Sequence, residues 1–437
     1  MNVTLKKTNA EIALAEEFDR IGTKLPGGRA VSTMRREAMA VFRERGFPHR
    51  RVEEWKYTDL RAAIKEALPL AVVDDTNVSA KELNAALGPL ATIDAHRIVL
   101  VNGHYRRELS KHDNIADADV RPLSNALKVM PDDAATRMLK GAGPDTESVI
   151  ALNTALATDG AVISIAGKLA KPIFVIHAEA GSKPGHRVIR STIGVLPAAV
   201  ATIVEIFVTL AGAKPGQVNT ATEIGIGAGA KVSHLKITFG AATHISSCAP
   251  TLDADVGYRL FHYTAASALV RNQVFPLFAG EGAKLDISGV MLGRAREHCD
   301  TTLVIDHAVP GCESRELFKT VLDDTARSIF QGKVIVRPDA QKTDGKQMAQ
   351  ALMLSERAEF DSKPELEIYA DDVVCGHGAT VADLDKNLMF YLRTRGIPRD
   401  QARALLIESF IGEALDKVED EALRAALGEM ATGWLQG

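Results

Sequence analysis

The chain has 437 residues, of which 46% are hydrophobic and 25% charged, a composition typical of a globular protein with two or three domains or one elongated repeat. Its formal net charge of −4 provides no overall positive field for nucleic acid or anionic lipid. The N-terminus lacks the apolar core of a secretory signal, and no apolar stretch reaches the roughly 18 residues of a membrane span. We therefore expect a cytoplasmic protein.

The first part of the chain has helical patterns. Thr8 and Glu11 fit a capping box at the start of one helix. Apolar residues at helical spacing predict a second helix that starts at Ser32 and stops at Gly46. A helical tendency returns at 80–87, so we predict an N-terminal helical domain.

Near residue 95 the pattern changes to β. The apolar run 98–101 leads into Asn102-Gly103, which indicates a strand followed by a tight turn, and a helical interlude is predicted over 121–139. From Ala161 to about Val374, short β segments do not alternate with helices, which argues against a doubly wound α/β sheet. Examples of these segments are 162–165, 173–177, 200–209, 232–239, 285–291, 303–306 and 332–336.

Two details bear on how these strands are arranged. Within 234–239, Leu, Ile and Phe alternate with His, Lys and Thr, which predicts one buried and one exposed face. Gly-Ala-Lys at 229–231 returns at 282–284, a separation that fits two solenoid turns of roughly 20–30 residues each. A β-sandwich would show the same local alternation, but the pattern favours a β-solenoid.

The C-terminal part is helical again. Leu384, Leu388 and Tyr391 line one face of a helix that ends at Gly396, and 402–410 continues the apolar pattern in a second helix. The order along the chain is therefore helices, a long β region, then helices. The predicted domains are 1–94 (helical), 95–380 (β core) and 381–437 (helical).

The segment GIGAGAKV, from Gly225 to Val232, superficially resembles a phosphate-binding loop. Ala230 stands where that motif requires its second glycine, and Val232 stands where a Ser or Thr would bind Mg²⁺. The residues that follow alternate as in a strand, so no helix N-terminus is available for phosphate. We interpret the segment as a tight turn and expect this chain to bind no nucleotide.

Other polar clusters have simpler explanations than catalysis. Adjacent acids at 323–324 and 371–372 would point to opposite faces of a strand and are expected in turns. Asp306, His307 and Cys312 would need hydrogen-bonding contact to act as a nucleophilic site, which the strand alternation and the Pro-Gly between them disfavour. The four cysteines lie far apart and include no C-x-x-C pair, which predicts reduced thiols.

Cys375 and His377 form the pattern with the most chemical potential. If the strand through Val374 continues, their side chains project from one face, about 6.6 Å apart at Cα. Thiolate and imidazole both bind iron in clusters, and the glycine between them permits close approach of another backbone. A buried free cysteine and a turn histidine would explain the same residues, and two ligands cannot hold a cluster without others.

The run KPELEIYADDVVCGHGAT at 363–380 resembles the signature of the SufB/SufD family. The segments FYLRTRGI at 390–397 and AQKTD at 340–344 are also similar to that family, as are EWKYT at 54–58 and LNTA at 152–155. SufB-type members are usually longer and carry extra N-terminal cysteines, which are absent here. The resemblance is therefore to the SufD type.

This resemblance implies a right-handed parallel β-helix core flanked by helical domains, in a non-catalytic scaffold for iron–sulfur cluster assembly. It implies a complex with SufB, at the end of the β-helix, and with two copies of the ATPase SufC, at the C-terminal helices. A transient cluster is expected at the SufB contact, with His377 and, more weakly, Cys375 as candidate ligands. Gly376, often Ser in the family, puts neither ligand in doubt.

Two other functions are compatible with a solenoid. A β-helix enzyme acting on polysaccharide would need grouped acids and aromatic subsites on a strand face, and an acyltransferase would need a hexapeptide repeat. Neither pattern is visible in the sequence. A stand-alone homodimeric scaffold remains open, because an exposed solenoid end can pair with a copy of itself as well as with SufB.

Overall fold

Two groups of helices flank a long run of strands in the computed structural model of the chain. It describes residues 6–71, 76–141, 143–144, 147–240, 242–265 and 267–436. The helices are α1 Asn9–Ile21, α2 Arg29–Arg45, α3 Leu60–Ala63, α4 Ala80–Leu87, α5 Leu123–Val129, α6 Asp132–Arg137, α7 Ser148–Leu156, α8 Lys386–Thr394, α9 Arg399–Leu415 and α10 Glu421–Gln436. Within the described ranges, no helix combines the length and apolar character needed to cross a bilayer.

The strands stack into the two sheets of a solenoid. They are β1 His96–Val101, β2 His104–Tyr105, β3 Ala118–Pro122, β4 Ala161–Ile165, β5 Ile173–Glu179, β6 His186–Val195, β7 Val200–Thr209, β8 Gln217–Ile226, β9 Lys231–Phe239, β10 Thr243–Leu252, β11 Gly257–Ala265, β12 Leu269–Val274, β13 Leu277–Phe278, β14 Lys284–Gly293, β15 His298–His307, β16 Glu313–Leu322, β17 Arg327–Val336, β18 Asp344–Met353, β19 Glu359–Ile368 and β20 Val374–Ala382. The first sheet has the order β2-β1-β5-β7-β9-β11-β14-β16-β18-β20, and the second has β19-β17-β15-β12-β10-β8-β6-β4-β3 with β13 beside β10 and β15. Pairing is parallel except between β1 and β2 and between β3 and β4. This topology confirms the predicted parallel β-helix.

Local sequence signals determine several element ends as predicted. The Thr8 hydroxyl caps α1 in a capping box, and Gly46 ends α2 with a φ of 69°. Asn102 and Gly103 take positive φ values of 52° and 83° in the hairpin between β1 and β2. An L-residue other than Asn or Asp would be strained at the first of these positions.

Among the helices longer than five residues, three differ from the prediction. α2 starts at Arg29 rather than Ser32, with Gly28 as its N-cap, and the Ser32 hydroxyl donates back to the Gly28 carbonyl at 2.9 Å. α7 and α10 were not predicted. Every residue of α7 is buried, so it lacks the one-sided apolar stripe by which a helix is recognised in a sequence.

The Gly-Ala-Lys recurrence marks equivalent positions two turns apart. Lys231 of β9 pairs with Gly257 of β11, which in turn pairs with Lys284 of β14. Gly229 and Gly282 take φ values of 69° and 73° just before these strands. The recurrence is therefore a repeated corner of the solenoid.

The three largest of four apolar cores among the described residues hold the solenoid and the helices together. The first fills the interior between the two sheets. The second lies on the outer face of the first sheet, beneath α4, α9 and α10. The third lies on the outer face of the second sheet, beneath α1, α2 and α7. Because helices cover both outer faces, most strands are buried on both sides.

This double coverage makes the prediction of an exposed face on β9 wrong. His234, Lys236 and Thr238 are buried because they face the interior of the solenoid. Leu235 and Ile237 point the other way, into the core beneath the C-terminal helices. The predicted alternation of side chains along β9 is confirmed, but neither face of this strand is exposed to solvent.

The segment after α2 is fixed to the second sheet by a buried ion pair. Arg271 on β12 and Asp300 on β15 pair with both side chains fully buried, and the Thr58 hydroxyl donates to the same carboxylate. The Arg271 guanidinium lies 3.8 Å from the centroid of the Trp55 ring and donates to the Glu54 carbonyl at 2.6 Å. The EWKYT segment therefore joins the N-terminal helices to the solenoid.

Asp300→Asn should lower the free energy of unfolding by about 3 kcal/mol, because it removes the carboxylate that pairs with the buried Arg271 guanidinium. Urea denaturation followed by circular dichroism measures this change. The control, Asp133→Asn, removes an ion pair with Arg137 whose side chains are 73% (Arg137) and 75% (Asp133) exposed, and it should cost less than about 0.5 kcal/mol. Equal effects of the two substitutions would contradict the role given to the buried pair.

Candidate functional site

The solenoid ends at β19 and β20 with its interior open. Among the described residues, no strand pairs with the far edges of these two strands. The helices that follow, α9 and α10, pack on the outer face of the first sheet instead. Residues of β19 and β20 are accordingly half-buried or exposed, whereas many equivalent residues of β17 and β18 are buried.

Cys375 and His377 lie on β20 at this open end. The register pairs Cys375 with Gly345 and His377 with Gln347 of β18. Gly345 and Gln347 are buried on the interior face of β18. Because paired residues of parallel strands point the same way, both β20 side chains are directed over the open interior.

The two side chains differ in exposure. Cys375 is half-buried, with its sulfur 3.6 Å from where a Cβ on Gly345 would lie, and His377 is exposed. Partial burial raises the pKa of the Cys375 thiol, and the carboxyls of Asp344 and Glu316 raise it further. Because the thiolate is the form that binds metal, iron binding at Cys375 has to displace the thiol proton.

Buried polar side chains lie directly beneath the two residues. Glu316 on β16 stacks under Gln347, which stacks under His377, and Ser314 lies two turns below Cys375. Both carboxyl oxygens of Glu316, the amide oxygen of Gln347 and the Ser314 hydroxyl are buried, and none makes a hydrogen bond of normal geometry. Burial raises the pKa of Glu316 to about 8, although the nearby Ser314 hydroxyl lowers it, so this carboxyl is mainly neutral at pH 7. Sequence reasoning missed these residues.

Asp306, His307 and Cys312 do not form a site. The His307 ring lies inside the solenoid, stacked on Phe278 with centroids 4.2 Å apart. Asp306 faces outward and pairs with Arg337 at 2.6 Å. Cys312 is buried, and its S–H donates to backbone carbonyls. Strand alternation separates the three groups, as predicted.

The remaining sequence candidates lie in turns. Asp324 takes a φ of 53° between β16 and β17, and Asp372 pairs with Lys342 before β20. The glycine-rich segment connects β8 to β9, with Gly229 at a φ of 69° and a strand rather than a helix after it. In the described part of the chain, no three His, Cys, Asp or Glu side chains are grouped as a metal site.

Glu316→Gln should make the protein more stable than the wild type, by a margin that grows as the pH rises. An unfolded Glu titrates near pH 4.3, whereas the folded Glu316 pKa is about 8, so stability that is fully present below about pH 4 is lost progressively as the pH rises from there to 8. The neutral amide does not incur this loss, so the stability difference between variant and wild type should grow by about 4 kcal/mol between pH 5 and pH 8.5. Urea unfolding from pH 5 to 9 measures the difference, and parallel curves for the two proteins would contradict it.

Comparison with known proteins extends over nearly the whole chain. Residues 176–410 match the family described as SUF system FeS cluster assembly, SufBD core domain, and residues 24–175 match the SufBD protein N-terminal region. The iron–sulfur cluster assembly protein SufD of Escherichia coli is 30% identical over 399 residues, which cover 89% of this chain and 90% of that protein. An iron–sulfur cluster assembly SufBD family protein of Synechocystis is 30% identical over 394 residues, covering 87% and 86%.

A second SufD, from Bacillus subtilis, is 29% identical over 236 residues, which are 52% of each protein. The parallel β-helix and the flanking helices agree with the resemblance seen in the sequence. The match to the core domain covers more than half of the chain. This chain therefore belongs to the SufBD family of iron–sulfur cluster assembly proteins, and it is SufD-like.

Proposed function

We propose that this chain is a non-catalytic scaffold subunit that assembles iron–sulfur clusters together with SufB and the ATPase SufC. Family membership supports the role in assembly. The observation that carries the proposal is the open end of the solenoid, where Cys375 and His377 project over an uncovered interior. An iron–sulfur cluster bound there is the product that the scaffold passes on, rather than a cofactor of this chain.

Cys375 and His377 are the ligands that we propose from this chain. Their thiolate and imidazole both bind iron in clusters, which usually take about four protein ligands. Two residues leave that set incomplete, so a partner at the open end has to supply the others.

The same end offers the apolar surface that a partner solenoid would cover. Ile368, Val374 and Val381 are 41%, 60% and 58% exposed on the last two strands. Phe360 and Leu366 pack against the interior core but are only partly buried. We propose SufB as the partner here, because a related solenoid can continue an open interior with one of its own.

Helix α8 is the surface that we propose for SufC. It contributes no buried residue, and Leu388, Phe390 and Tyr391 are 51%, 70% and 54% exposed. By contrast, α9 and α10 bury Ile407 and Leu423 against the first sheet. An apolar helix face left uncovered in this way fits a protein partner.

His377→Ala should leave folding and assembly with SufB and SufC unchanged but lower the iron and sulfide content of the reconstituted complex at least tenfold. The imidazole lies exposed on an edge strand, so its loss removes a ligand rather than packing. Cys375→Ser should have a similar but smaller effect. Thr380→Ala, on the opposite face of β20, is the control and should assemble clusters normally. Full cluster content in the His377→Ala complex would remove this residue from the site.

Phe390→Ala should weaken SufC binding at least tenfold without changing the thermal melting temperature, because the ring is 70% exposed and contributes little to the core. Calorimetric titration with SufC measures the affinity. Ile12→Ala, which removes a 44% exposed side chain from α1, is the control and should bind SufC normally. Unchanged binding by Phe390→Ala would exclude α8 as the contact.

A further inference from the structure

Two arginine side chains are fully buried where the N-terminal helices meet the solenoid. Arg35 on α2 and Arg190 on β6 are 1% and 0% exposed. Their guanidinium groups lie close together, because both contact Thr154 of α7. Arg35 donates to the Thr154 carbonyl at 3.2 Å, and Arg190 donates to the Thr154 hydroxyl at 3.5 Å. Like charges this close repel each other, and a buried charge needs compensation by a charge of opposite sign.

The charge of Arg35 is partly compensated by a helix end. Its guanidinium also donates to the carbonyls of Ala155, at 3.1 Å, and Pro26, at 3.2 Å. Thr154 and Ala155 lie in the last turn of α7, where the helix dipole is equivalent to roughly half a negative charge. The Arg35 Nε–H is nevertheless buried without a hydrogen-bond acceptor.

Arg190 has no comparable compensation. Within the described ranges its guanidinium forms no ion pair, and its Nε and Nη2 atoms are buried without an acceptor. Burial lowers the pKa of Arg190 to about 10, so the group still carries its charge at pH 7. The long contact with the Thr154 hydroxyl brings no negative charge to it.

One carboxyl group acts on Arg190 from the neighbouring strand. Glu223 on β8 lies two residues beyond Ala221, which pairs with Arg190, and it favours the charged guanidinium through space. The Glu223 Oε2 atom is buried without a hydrogen-bond partner, and burial raises the pKa of this carboxyl. Two cations therefore face one carboxyl group, which leaves an excess of positive charge.

We propose that Arg35 and Arg190 bind a small monovalent inorganic anion between them, for which chloride is the probe. Guanidinium N–H groups are strong donors to anions, and three such groups are free here. Two guanidinium groups and one carboxylate leave an excess that a monovalent ion balances, and their enclosure favours a small ion. A water molecule would accept the free N–H groups but leave the charge uncompensated.

Such an anion would join α2 to β6, and so would help to attach the N-terminal helices to the solenoid. A ligand that binds only the folded state stabilises that state according to its occupancy. The stability of the protein should therefore depend on the chloride concentration through this site. The site is separate from the open end of the solenoid, so the inference does not depend on the proposed function.

Arg190→Met is the variant that tests the site. It removes the charge with little change in side-chain length, and only one long hydrogen bond is lost. Replacement of a buried charge by an apolar side chain is often neutral or stabilising, so the variant should fold. Arg36→Met is the matched control, because Arg36 lies on the same helix as Arg35 but is exposed.

Thermal unfolding of the full chain at constant ionic strength, with chloride replacing gluconate, measures the effect. The melting temperature of the wild type should rise by about 2 °C relative to Arg190→Met and then level off as the site saturates. The comparison with the variant cancels the general effect of the salts on stability. Arg36→Met should follow the wild type, and a parallel chloride dependence of the wild type and Arg190→Met would overturn the proposal.

Glu223→Gln separates an anion from the carboxylate as the counter-charge of Arg190. Loss of the carboxylate increases the positive excess, so this variant should reach its chloride plateau at a concentration at least threefold lower than the wild type. If Glu223 is the counter-charge by itself, the variant is less stable than the wild type and chloride does not restore it, which would overturn the proposal.

Anomalous diffraction from crystals soaked in bromide locates the ion directly. We expect a bromide peak in contact with the guanidinium groups of both Arg35 and Arg190. Bromide peaks confined to the protein surface, with none between these two side chains, would also overturn the proposal.

Discussion

In-register parallel stacking is the constraint on which the rest of this molecule depends. Hydrogen bonds between turns hold each residue about 4.8 Å above its equivalent in the turn before, so side chains form columns along the solenoid. One interior column passes from His234 through Leu260 and Ile287 to Glu316. The chemistry of a turn is thus determined by the columns that its residues join.

Enclosure between the two sheets makes polar residues in these columns costly unless they are paired. Away from the open end, an interior polar group has no route to water and needs a partner within the solenoid. The Lys236 ammonium, whose pKa burial lowers to about 8, donates to Asn272 at 2.9 Å. The Glu316 carboxyl makes no hydrogen bond of normal geometry, and it avoids the larger cost of a buried charge by keeping its proton.

The open end of the solenoid is where stability and function conflict. A further turn would bury His377 as Gln347 is buried, at 3% exposure, and would satisfy the edge of β20. Leaving that turn out exposes apolar side chains and unpaired backbone groups, which favours association. It is also what gives Cys375, alone among the four cysteines, access to the surface. Two ligands for a cluster that is exchanged with other proteins have to lie at the end of the solenoid, where no further turn covers them.

The sequence by itself determined the order of helices, solenoid and helices, the hairpin at Asn102, the corner repeated at Gly229 and Gly282, and the common face of Cys375 and His377. These depend on local geometry: capping, turn chemistry and a period of two residues. Only the tertiary structure decided that both faces of β9 are buried, because alternation does not say what covers a face. Only it decided that Glu316 and Gln347 lie beneath His377, because register joins residues a full turn apart, and no local pattern encodes it.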